Sequence, residues 1–254
     1  MNKVKPKKKL GQHFLRDEAI AYKIVSQLQA PTDELVIEIG PGEGVLTQFL
    51  LPKWKNFMAI EIDEESVHHL QQRFQSEKIS ICHEDVLKYP FEDYEQDFSV
   101  IGNLPYNISS PIFFQLLESR KHFREGVFMI QKEVGERIAA PPGSKTYGIL
   151  SVLLSRYYTC SFMFTVKPGS FFPPPKVLSG VIRFTRKPEP DPIPTFKVLK
   201  QVVKAAFNQR RKTLRNALSM YKFNPSPEVE NMLALRAEQL SHESFAWLCN
   251  QIVP

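Results

Sequence analysis

The stretch that decides the fold is Leu35-Val36-Ile37-Glu38-Ile39-Gly40-Pro41-Gly42-Glu43-Gly44. Its first half is apolar apart from one acid and predicts a short buried β-strand, and its glycine-rich half predicts a tight turn into a helix over residues 45–51. Glycines let the backbone turn sharply and approach a ligand closely, so this order is typical of a nucleotide-binding unit. The pattern suits NAD, FAD and S-adenosylmethionine alike, and a purely structural turn is the alternative.

Strands and helices alternate on both sides of this loop. Apolar runs predict strands over 57–60, 79–82, 98–101 and 126–130, and amphipathic runs predict helices over 17–29, 64–75 and 109–117. Continuously apolar strands that alternate with helices are typical of a parallel sheet covered on both faces. After a predicted helix over 147–157, strand-like runs at 161–166 and 180–184 break the alternation. The sequence therefore predicts an α/β, Rossmann-like sheet, mostly parallel, with an antiparallel addition at its edge.

A proline-rich stretch divides the chain. Residues 187–194 read Lys-Pro-Glu-Pro-Asp-Pro-Ile-Pro, which is a linker by composition. Beyond it, Phe196, Leu199, Val203 and Phe207 recur at helical spacing, and a last helix is predicted over 241–251. We therefore expect a catalytic domain over 1–187 and a small all-helical domain over 188–254.

Two acids follow the next two predicted strands. Glu61 ends the second strand, where a carboxylate can accept both hydroxyls of a ribose, and Asp85 follows the third, where it can accept the exocyclic amine of a cofactor's adenine. Asp85 alone could equally be an ordinary loop acid. Pro41 and Glu43 make the glycine loop poor for the pyrophosphate of a dinucleotide, which S-adenosylmethionine lacks. The sequence therefore favours S-adenosylmethionine as cofactor.

The tetrapeptide Asn103-Leu104-Pro105-Tyr106 follows the fourth strand, at the same predicted sheet edge. The exocyclic nitrogen of adenine is a poor nucleophile because its lone pair is delocalised into the ring. The Asn103 side-chain oxygen and the Leu104 carbonyl could accept its two hydrogens, with Pro105 stiffening the turn and Tyr106 giving the base a flat face. The pattern indicates adenine methylation, and a plain Asn-Pro turn is the alternative.

Phe171 is a candidate for the second aromatic wall around that base. It lies in Gly169-Ser170-Phe171-Phe172-Pro173-Pro174-Pro175. A target base drawn out of its stack needs such a sandwich. A core phenylalanine in a proline-rich loop is the alternative.

Positive charge is concentrated near the two ends of the chain. The net charge is +6, yet residues 1–16, which we call the N-terminal arm, hold six basic residues and no acid, and residues 192–227 hold eight basic residues and no acid. This concentration favours a polyphosphate partner over charge kept for solubility. A disordered tail and a solvated helix face are the respective alternatives. Predicted RNA contacts are Lys7, Lys8 and Lys9 in the arm and Arg210, Arg211, Lys212 and Arg215 near the C-terminus.

Other classes of protein are disfavoured by composition. No apolar run approaches the roughly 20 residues of a membrane span, and no apolar signal segment follows the basic start, so we expect a cytoplasmic protein with no membrane partner. The three cysteines, Cys82, Cys160 and Cys249, lie far apart and form no CxxC pair. The six histidines show no metal-ligand spacing, so no metal is expected.

Taken together, the motifs resemble the ribosomal RNA adenine dimethyltransferase family, in its small-subunit branch. The resemblance spans nearly the whole chain. It rests on Leu10-Gly11-Gln12-His13-Phe14-Leu15, Glu38 to Gly44, Glu61-Ile62-Asp63, Asn103 to Ser109, Met129 to Val134, Tyr147 to Val152, Phe171 to Val177 and Gln209 to Leu214.

The resemblance implies a reaction and assigns residues to it. It implies transfer of four methyl groups to two adjacent adenines in a hairpin loop near the 3′ end of small-subunit ribosomal RNA, within an immature 30S subunit. The resemblance also implies that the N-terminal arm is a lid over the cofactor and not a disordered tail. We expect the protein to be a monomer. Cofactor contacts would come from His13, Leu15, Gly40, Gly42, Glu61, Asp85 and Asn103, and the target base would be held by Asn103, Leu104, Pro105, Tyr106 and Phe171.

Three rival functions stay open at this point. The first is the antibiotic-resistance branch, which methylates large-subunit RNA, although the proline-linked helical domain favours the small-subunit branch. The second is a non-catalytic ribosome-assembly or transcription factor on the same scaffold, against which the intact Asn103 to Tyr106 argues. The third is a nicotinamide dehydrogenase, for which we see no acid or base at a hydride site.

Overall fold

A central β-sheet forms at the predicted strands. The computed structural model describes residues 4–75, 79–188 and 194–253. Its strands are β1 (Phe14–Leu15), β2 (Leu35–Ile39), β3 (Phe57–Glu61), β4 (Ser80–His83), β5 (Phe98–Asn103), β6 (Phe123–Gln131), β7 (Tyr158–Val166), β8 (Phe171–Phe172) and β9 (Ser179–Arg186). The interior strands form because their runs of apolar and β-branched residues are buried from both faces.

The predicted topology is confirmed. Within the described residues, seven strands form one sheet in the order β4-β3-β2-β5-β6-β9-β7. The pairs β2–β3, β3–β4, β2–β5 and β5–β6 are parallel, whereas β9 runs antiparallel to β6. The sheet is therefore mostly parallel with an antiparallel addition on one side, as the broken alternation predicts.

The helices follow the predicted periodicity, with shorter ends. They are α1 (Glu18–Val25), α2 (Thr47–Leu50), α3 (Glu64–Arg73), α4 (Ser109–Glu118), α5 (Lys132–Ile138), α6 (Ile149–Tyr157), α7 (Phe196–Asn208), α8 (Leu214–Ala217), α9 (Pro227–Leu233) and α10 (His242–Asn250). Asp17 starts α1 by accepting a hydrogen bond from the Ile20 N–H, as an N-cap does, and Thr195 starts α7 in the same way from Val198.

The chain divides into two compact units. The first contains Met1–Gly135 and Ser161–Arg186, and the second contains Glu136–Cys160 and Lys187–Pro254. In the second unit, α7 buries Phe196, Leu199, Val202, Val203 and Ala206 along one stripe. The predicted linker falls largely on residues 189–193, which lie outside the described residues, and the predicted functional boundary at 187/188 stays a prediction.

A two-stranded ribbon, which the sequence did not predict, joins the N-terminal arm to the proline-rich loop at residues 169–175. β1 pairs antiparallel with β8, with Phe14 opposite Phe172 and Leu15 opposite Phe171. The Arg16 N–H extends the ribbon by donating to the Ser170 carbonyl at 2.8 Å. The arm is thus fixed to the first unit through backbone hydrogen bonds at its end.

The strand order creates a crevice at the ends of β2 and β5. From β2 the chain moves outward through β3 to β4, and from β5 it moves the other way to β6. Ligands in open α/β sheets bind at the carboxyl ends of the strands where the order reverses in this way. Ile39 pairs with Gly102, so the residues that follow, Gly40 and Asn103, lie side by side at this point.

The described residues contain neither a membrane-spanning helix nor a cluster of metal ligands. No helix there combines the length and the apolar character needed to cross a membrane. Across the same residues, no group of three or more His, Cys, Asp or Glu side chains is arranged to hold a metal ion.

Candidate active site at the carboxyl ends of the parallel strands

A cavity of about 210 Å³ lies in this crevice, within the first unit. It is walled by the ends of β2, β3 and β5, by the loop after β4 and by the N-terminal arm. Most of the predicted site residues line it: Lys9, His13, Gly40, Gly42, Glu61, Asp85, Asn103, Leu104, Pro105 and Tyr106. Leu15 and Phe171 do not belong to its lining.

The glycine loop leaves room for a ligand at one position and for the arm at another. Gly40 has φ +65°, and a Cβ there would meet nothing within 4 Å, so it would extend into open space beside the cavity. Gly42 has φ +56°, and a Cβ there would lie 2.7 Å from the ring of Phe14. Such positive φ values strain residues other than glycine. Gly40 therefore keeps the cavity floor open, and Gly42 lets Phe14 pack on the loop.

Glu61 is held by backbone N–H groups at the end of β3. Its Oε2 accepts from the Gly42 N–H at 3.1 Å and its Oε1 accepts from the Asp63 N–H at 2.9 Å. Burial raises the pKa of Glu61 above its ordinary value of 4.5, while the hydrogen bonds from Asp63 and Gly42 oppose the rise. A fixed, buried carboxylate of this kind can accept hydrogen bonds from the two hydroxyls of a ribose, so this acceptor fits S-adenosylmethionine.

Glu38 supports the glycine loop from below. The Thr47 hydroxyl at the start of α2 donates to Glu38 at 2.6 Å, which ties β2 to the helix that follows the loop. Burial raises the pKa of Glu38 to about 8, partly opposed by the Thr47 bond and increased by the charge of Glu61. The raised pKa favours the neutral form of Glu38, which braces the loop through the Thr47 bond.

Asp85 occupies the predicted place after β4. Its side chain accepts from the Leu87 N–H at 3.0 Å and caps a short 3-10 turn, Val86–Lys88. The capping bond fixes the carboxylate at the cavity wall. A second acceptor oxygen of a carboxylate can serve an exocyclic amine there.

Asn103 is oriented by the N-terminal arm. Its Nδ2 donates to the His13 carbonyl oxygen at 2.9 Å, so Oδ1 is the atom of the amide that can accept from a substrate. The Leu104 N–H donates to the Met129 carbonyl at 3.0 Å, which anchors the turn to β6. The turn therefore presents an amide oxygen and a neighbouring backbone carbonyl at the end of β5.

Tyr106 is held at its hydroxyl and at its ring. The hydroxyl lies 2.6 Å from the Ser179 hydroxyl, at the start of β9, and the His13 ring stacks on the tyrosine ring with centroids 5.8 Å apart. The His13 Nδ1 lies 2.7 Å from the Pro173 carbonyl. Burial raises the pKa of Tyr106, and the Ser179 bond opposes the rise. The ring is thus a neutral, fixed face at the cavity, and Ser179 is a support that sequence reasoning missed.

Two predicted contacts lie in the core instead of the cavity wall. Leu15 and Phe171 are paired across the ribbon and are 2% and 4% exposed, and both pack in a cluster with residues of α1 and β2. Their neighbour Phe172 is exposed on the other face of β8, with the Arg16 guanidinium 3.9 Å from its ring centre. The predicted roles of Leu15 and Phe171 at the ligands stay predictions.

Phe171 and Phe172 offer a stability test of this placement. Phe171→Ala should lower the free energy of unfolding by about 3–5 kcal/mol because it leaves a cavity in the core. Phe172→Ala should change it by less than about 1 kcal/mol, since only an exposed cation–π contact is lost. Urea denaturation of both variants measures the difference. Equal stabilities would contradict the core assignment of Phe171.

The four basic residues of the second unit that are predicted to contact RNA fall into two groups. Arg210 hydrogen-bonds to the Lys145 carbonyl and lies 3.8 Å from Glu238, and Arg215 forms an ion pair with Glu230. Arg211 and Lys212 are exposed in the turn between α7 and α8. The predicted RNA contacts stay predictions for all four, and the exposed pair has the clearest access to a phosphate backbone.

A cavity at the switch point of a mostly parallel sheet, lined by a glycine loop, a buried carboxyl group and an amide side chain, is the arrangement expected of S-adenosylmethionine-dependent methyltransferases. The sequence model described as "Ribosomal RNA adenine dimethylase" matches residues 3–248. The chain belongs to this family.

Its relatives match over nearly their full lengths. The "Ribosomal RNA small subunit methyltransferase A" of Flavobacterium johnsoniae is 49% identical, over 99% of this chain and 97% of its own. The protein of the same name from Bacteroides thetaiotaomicron is 48% identical, over 99% and 96%. Among solved structures, a dimethyladenosine transferase from Plasmodium falciparum superposes with a TM-score of 0.80 at 27% identity, covering 93% of this chain and 96% of that one.

Proposed function

We propose that this chain transfers methyl groups from S-adenosylmethionine to the N6 atoms of two adjacent adenines in a 3′-end hairpin loop of small-subunit ribosomal RNA. The observation that carries the proposal is the orientation of Asn103, whose Nδ2 is engaged by the His13 carbonyl so that Oδ1 can accept from an amine. The names of the relatives from Flavobacterium johnsoniae and Bacteroides thetaiotaomicron support the small subunit as the substrate. They favour it over large-subunit RNA and over a non-catalytic role.

The protein's part in the reaction is to position the amine. Asn103 Oδ1 and the Leu104 carbonyl accept the two hydrogens of the adenine amine and draw its nitrogen toward a tetrahedral form with a localised lone pair. Tyr106 holds the base flat. No strong general base is needed, because the amine becomes acidic once it is methylated and loses its proton to solvent. Rate acceleration comes from orientation and charge complementarity.

The remaining site residues hold the methyl donor. When bound, S-adenosylmethionine supplies an electrophilic methyl group on a sulfonium. Glu61 accepts from the ribose hydroxyls, Asp85 from the adenine amine, and Gly40 and Gly42 let the backbone approach. His13 lines the cavity, and its ring stacks on Tyr106.

The basic residues bring the RNA to the site. Lys8 and Lys9 are exposed in the middle of the N-terminal arm, where Lys9 lines the cavity, and Arg211 and Lys212 are exposed in the second unit. They would contact phosphates without reading sequence. The immature 30S subunit as substrate, a monomeric enzyme, a cytoplasmic location and a functional boundary at 187/188 belong to the same proposal.

A transfer assay tests the proposed function. The purified protein should transfer labelled methyl from S-adenosylmethionine to immature small subunits, and nucleoside analysis should recover N6,N6-dimethyladenosine. Large-subunit RNA and mature small subunits serve as parallel substrates. Labelling of large-subunit RNA alone would favour the antibiotic-resistance reaction, and labelling of none would overturn the proposal.

A further inference from the structure

Asp63 lies at the start of α3, two residues beyond the ribose-binding acid, and it joins three parts of the site. Its side chain is 1% exposed and pairs with the Lys7 ammonium, and it accepts from Gln12 Nε2 at 3.1 Å. It also accepts from the Glu65 N–H at 3.3 Å as the N-cap of α3. Its own N–H donates to Glu61 at 2.9 Å. Asp63 thus connects α3 and the N-terminal arm through its buried carboxylate, and Glu61 through its backbone N–H.

The arm contacts reinforce each other. The Lys7 N–H donates to Gln12 Oε1 at 2.8 Å, so the two residues that bind Asp63 are also bound to each other. Lys7 Nζ also lies 3.7 Å from the Glu65 carboxylate, and the Lys5 N–H donates to the same carboxylate at 3.2 Å. We call Lys7, Gln12 and Asp63 the clasp. The 3-10 turn Lys8–Leu10 lies between Lys7 and Gln12. His13 and Phe14 directly follow Gln12 in the chain.

The N-terminal arm lines the cavity between two sets of contacts. On one side Asp63 holds Lys7 and Gln12, and on the other Asn103 holds the His13 carbonyl and Gly42 receives the Phe14 ring. The backbone from Lys9 to Phe14 lines the cavity between these anchors. Loss of one anchor should therefore loosen the cover without altering the cavity floor.

Electrostatics favour a charged pair in the clasp. Burial raises the pKa of Asp63, but the hydrogen bonds from Lys7 and Gln12 outweigh it and hold the pKa below its ordinary value of 3.8. The hydrogen bond to Asp63 raises the pKa of Lys7. Both groups are charged at neutral pH. A partly buried ion pair with added hydrogen bonds is stronger than an exposed one.

We propose that Asp63 is a positioning residue for cofactor binding, which clamps the N-terminal arm over the S-adenosylmethionine site through Lys7 and Gln12. Lys7, which the sequence analysis assigned to RNA, serves this clasp. The inference rests on the proposed function only for the identity of the ligand.

Calorimetric titration with S-adenosylmethionine in the absence of RNA tests the clasp. Lys7→Met keeps the length of the side chain and removes the ammonium, so the dissociation constant should rise about tenfold, the value of one charge-assisted hydrogen bond. Lys7→Arg should restore most of the affinity. Lys5→Met is the matched control, because it removes the same charge from the same segment without touching Asp63, and its affinity should match the wild type.

A second variant removes the other partner. Asp63→Asn keeps the capping oxygen for α3 and loses the ion pair, and Lys7→Met in that background should add little, since both act through one contact. Limited trypsin digestion gives an independent measurement: cleavage at Lys8 and Lys9 should be faster in both variants and slowed less by S-adenosylmethionine than in the wild type.

The outcomes separate the clasp from the proposed function. Full additivity of the two substitutions, or unchanged cofactor affinity in Lys7→Met with weaker RNA binding, would overturn the clasp and return Lys7 to the RNA. Because calorimetry needs no RNA, these results stand whether or not small subunits are methylated. Circular dichroism melts identify any effect of Asp63→Asn or Lys7→Met that comes from unfolding. Lys7, whose side chain is 35% exposed, tests the clasp with less disturbance of the core than Asp63 does.

Discussion

Replacing Asn103 by alanine should lower kcat for methyl transfer by roughly 10²–10³-fold, the usual cost of removing one preorganised hydrogen-bonding group at a reacting centre. The variant loses the Oδ1 acceptor for the adenine amine. Without it the amine nitrogen keeps its lone pair in the ring and attacks the methyl group slowly. Binding of RNA should persist, because the basic residues proposed to contact phosphates are untouched. Single-turnover kinetics with immature small subunits measures the effect.

The same substitution removes the bond to the His13 carbonyl, so two effects must be separated. Calorimetry with S-adenosylmethionine reports the contribution of the arm, and the single-turnover rate at saturating cofactor reports that of the acceptor. Asn56→Ala is a matched control: Asn56 also donates to a backbone carbonyl, that of Asp33 at 2.7 Å, away from the cavity. Wild-type turnover by Asn103→Ala at saturating cofactor would refute the acceptor role.

Much of this site could be predicted because it follows from local sequence. Apolar runs end at Ile39, Ile60 and Ile101, shortly before Gly40, Glu61 and Asn103. Parallel strands bring their carboxyl ends to one edge of the sheet. Chain order also predicted the antiparallel addition. The cavity lining at Gly40, Glu61 and Asn103 agrees with that reasoning.

The supports of the site could not be predicted in the same way. Asp63 reads as an ordinary helix cap, and nothing in its neighbourhood points to Lys7, 56 positions away along the chain. Ser179 begins a strand, and only the folded sheet brings its hydroxyl to Tyr106. These are single contacts between distant segments, which leave no periodic signal.

The two phenylalanines in β8 show a different limit. Adjacent residues of a strand face opposite sides, so Phe171 and Phe172 meet different surroundings. Composition cannot choose between them. The packing of the folded chain decides it: Phe171 joins the core cluster with Leu15, and Phe172 stays exposed.

The second large effect concerns Glu61. Glu61→Gln should weaken S-adenosylmethionine binding by roughly 30- to 100-fold. Two ribose hydroxyls lose a charged acceptor, at about 1 kcal/mol each beyond a neutral one, and the new amide group must also face an N–H donor at Gly42 or Asp63. Calorimetry without RNA measures the change. Glu64→Gln, an exposed carboxylate three residues further on, should bind as the wild type does.

The pH dependence of that binding gives the sharper test. Burial raises the pKa of Glu61, and ribose hydroxyls donate more strongly to its ionised form. Cofactor binding therefore favours loss of the proton, so wild-type affinity should increase as pH rises from the ordinary value of 4.5 through the raised pKa, and then level off. Glu61→Gln has no proton to lose and should lack this increase. A parallel pH profile in the two proteins would show that another group governs binding, because the only difference between them is the carboxylate.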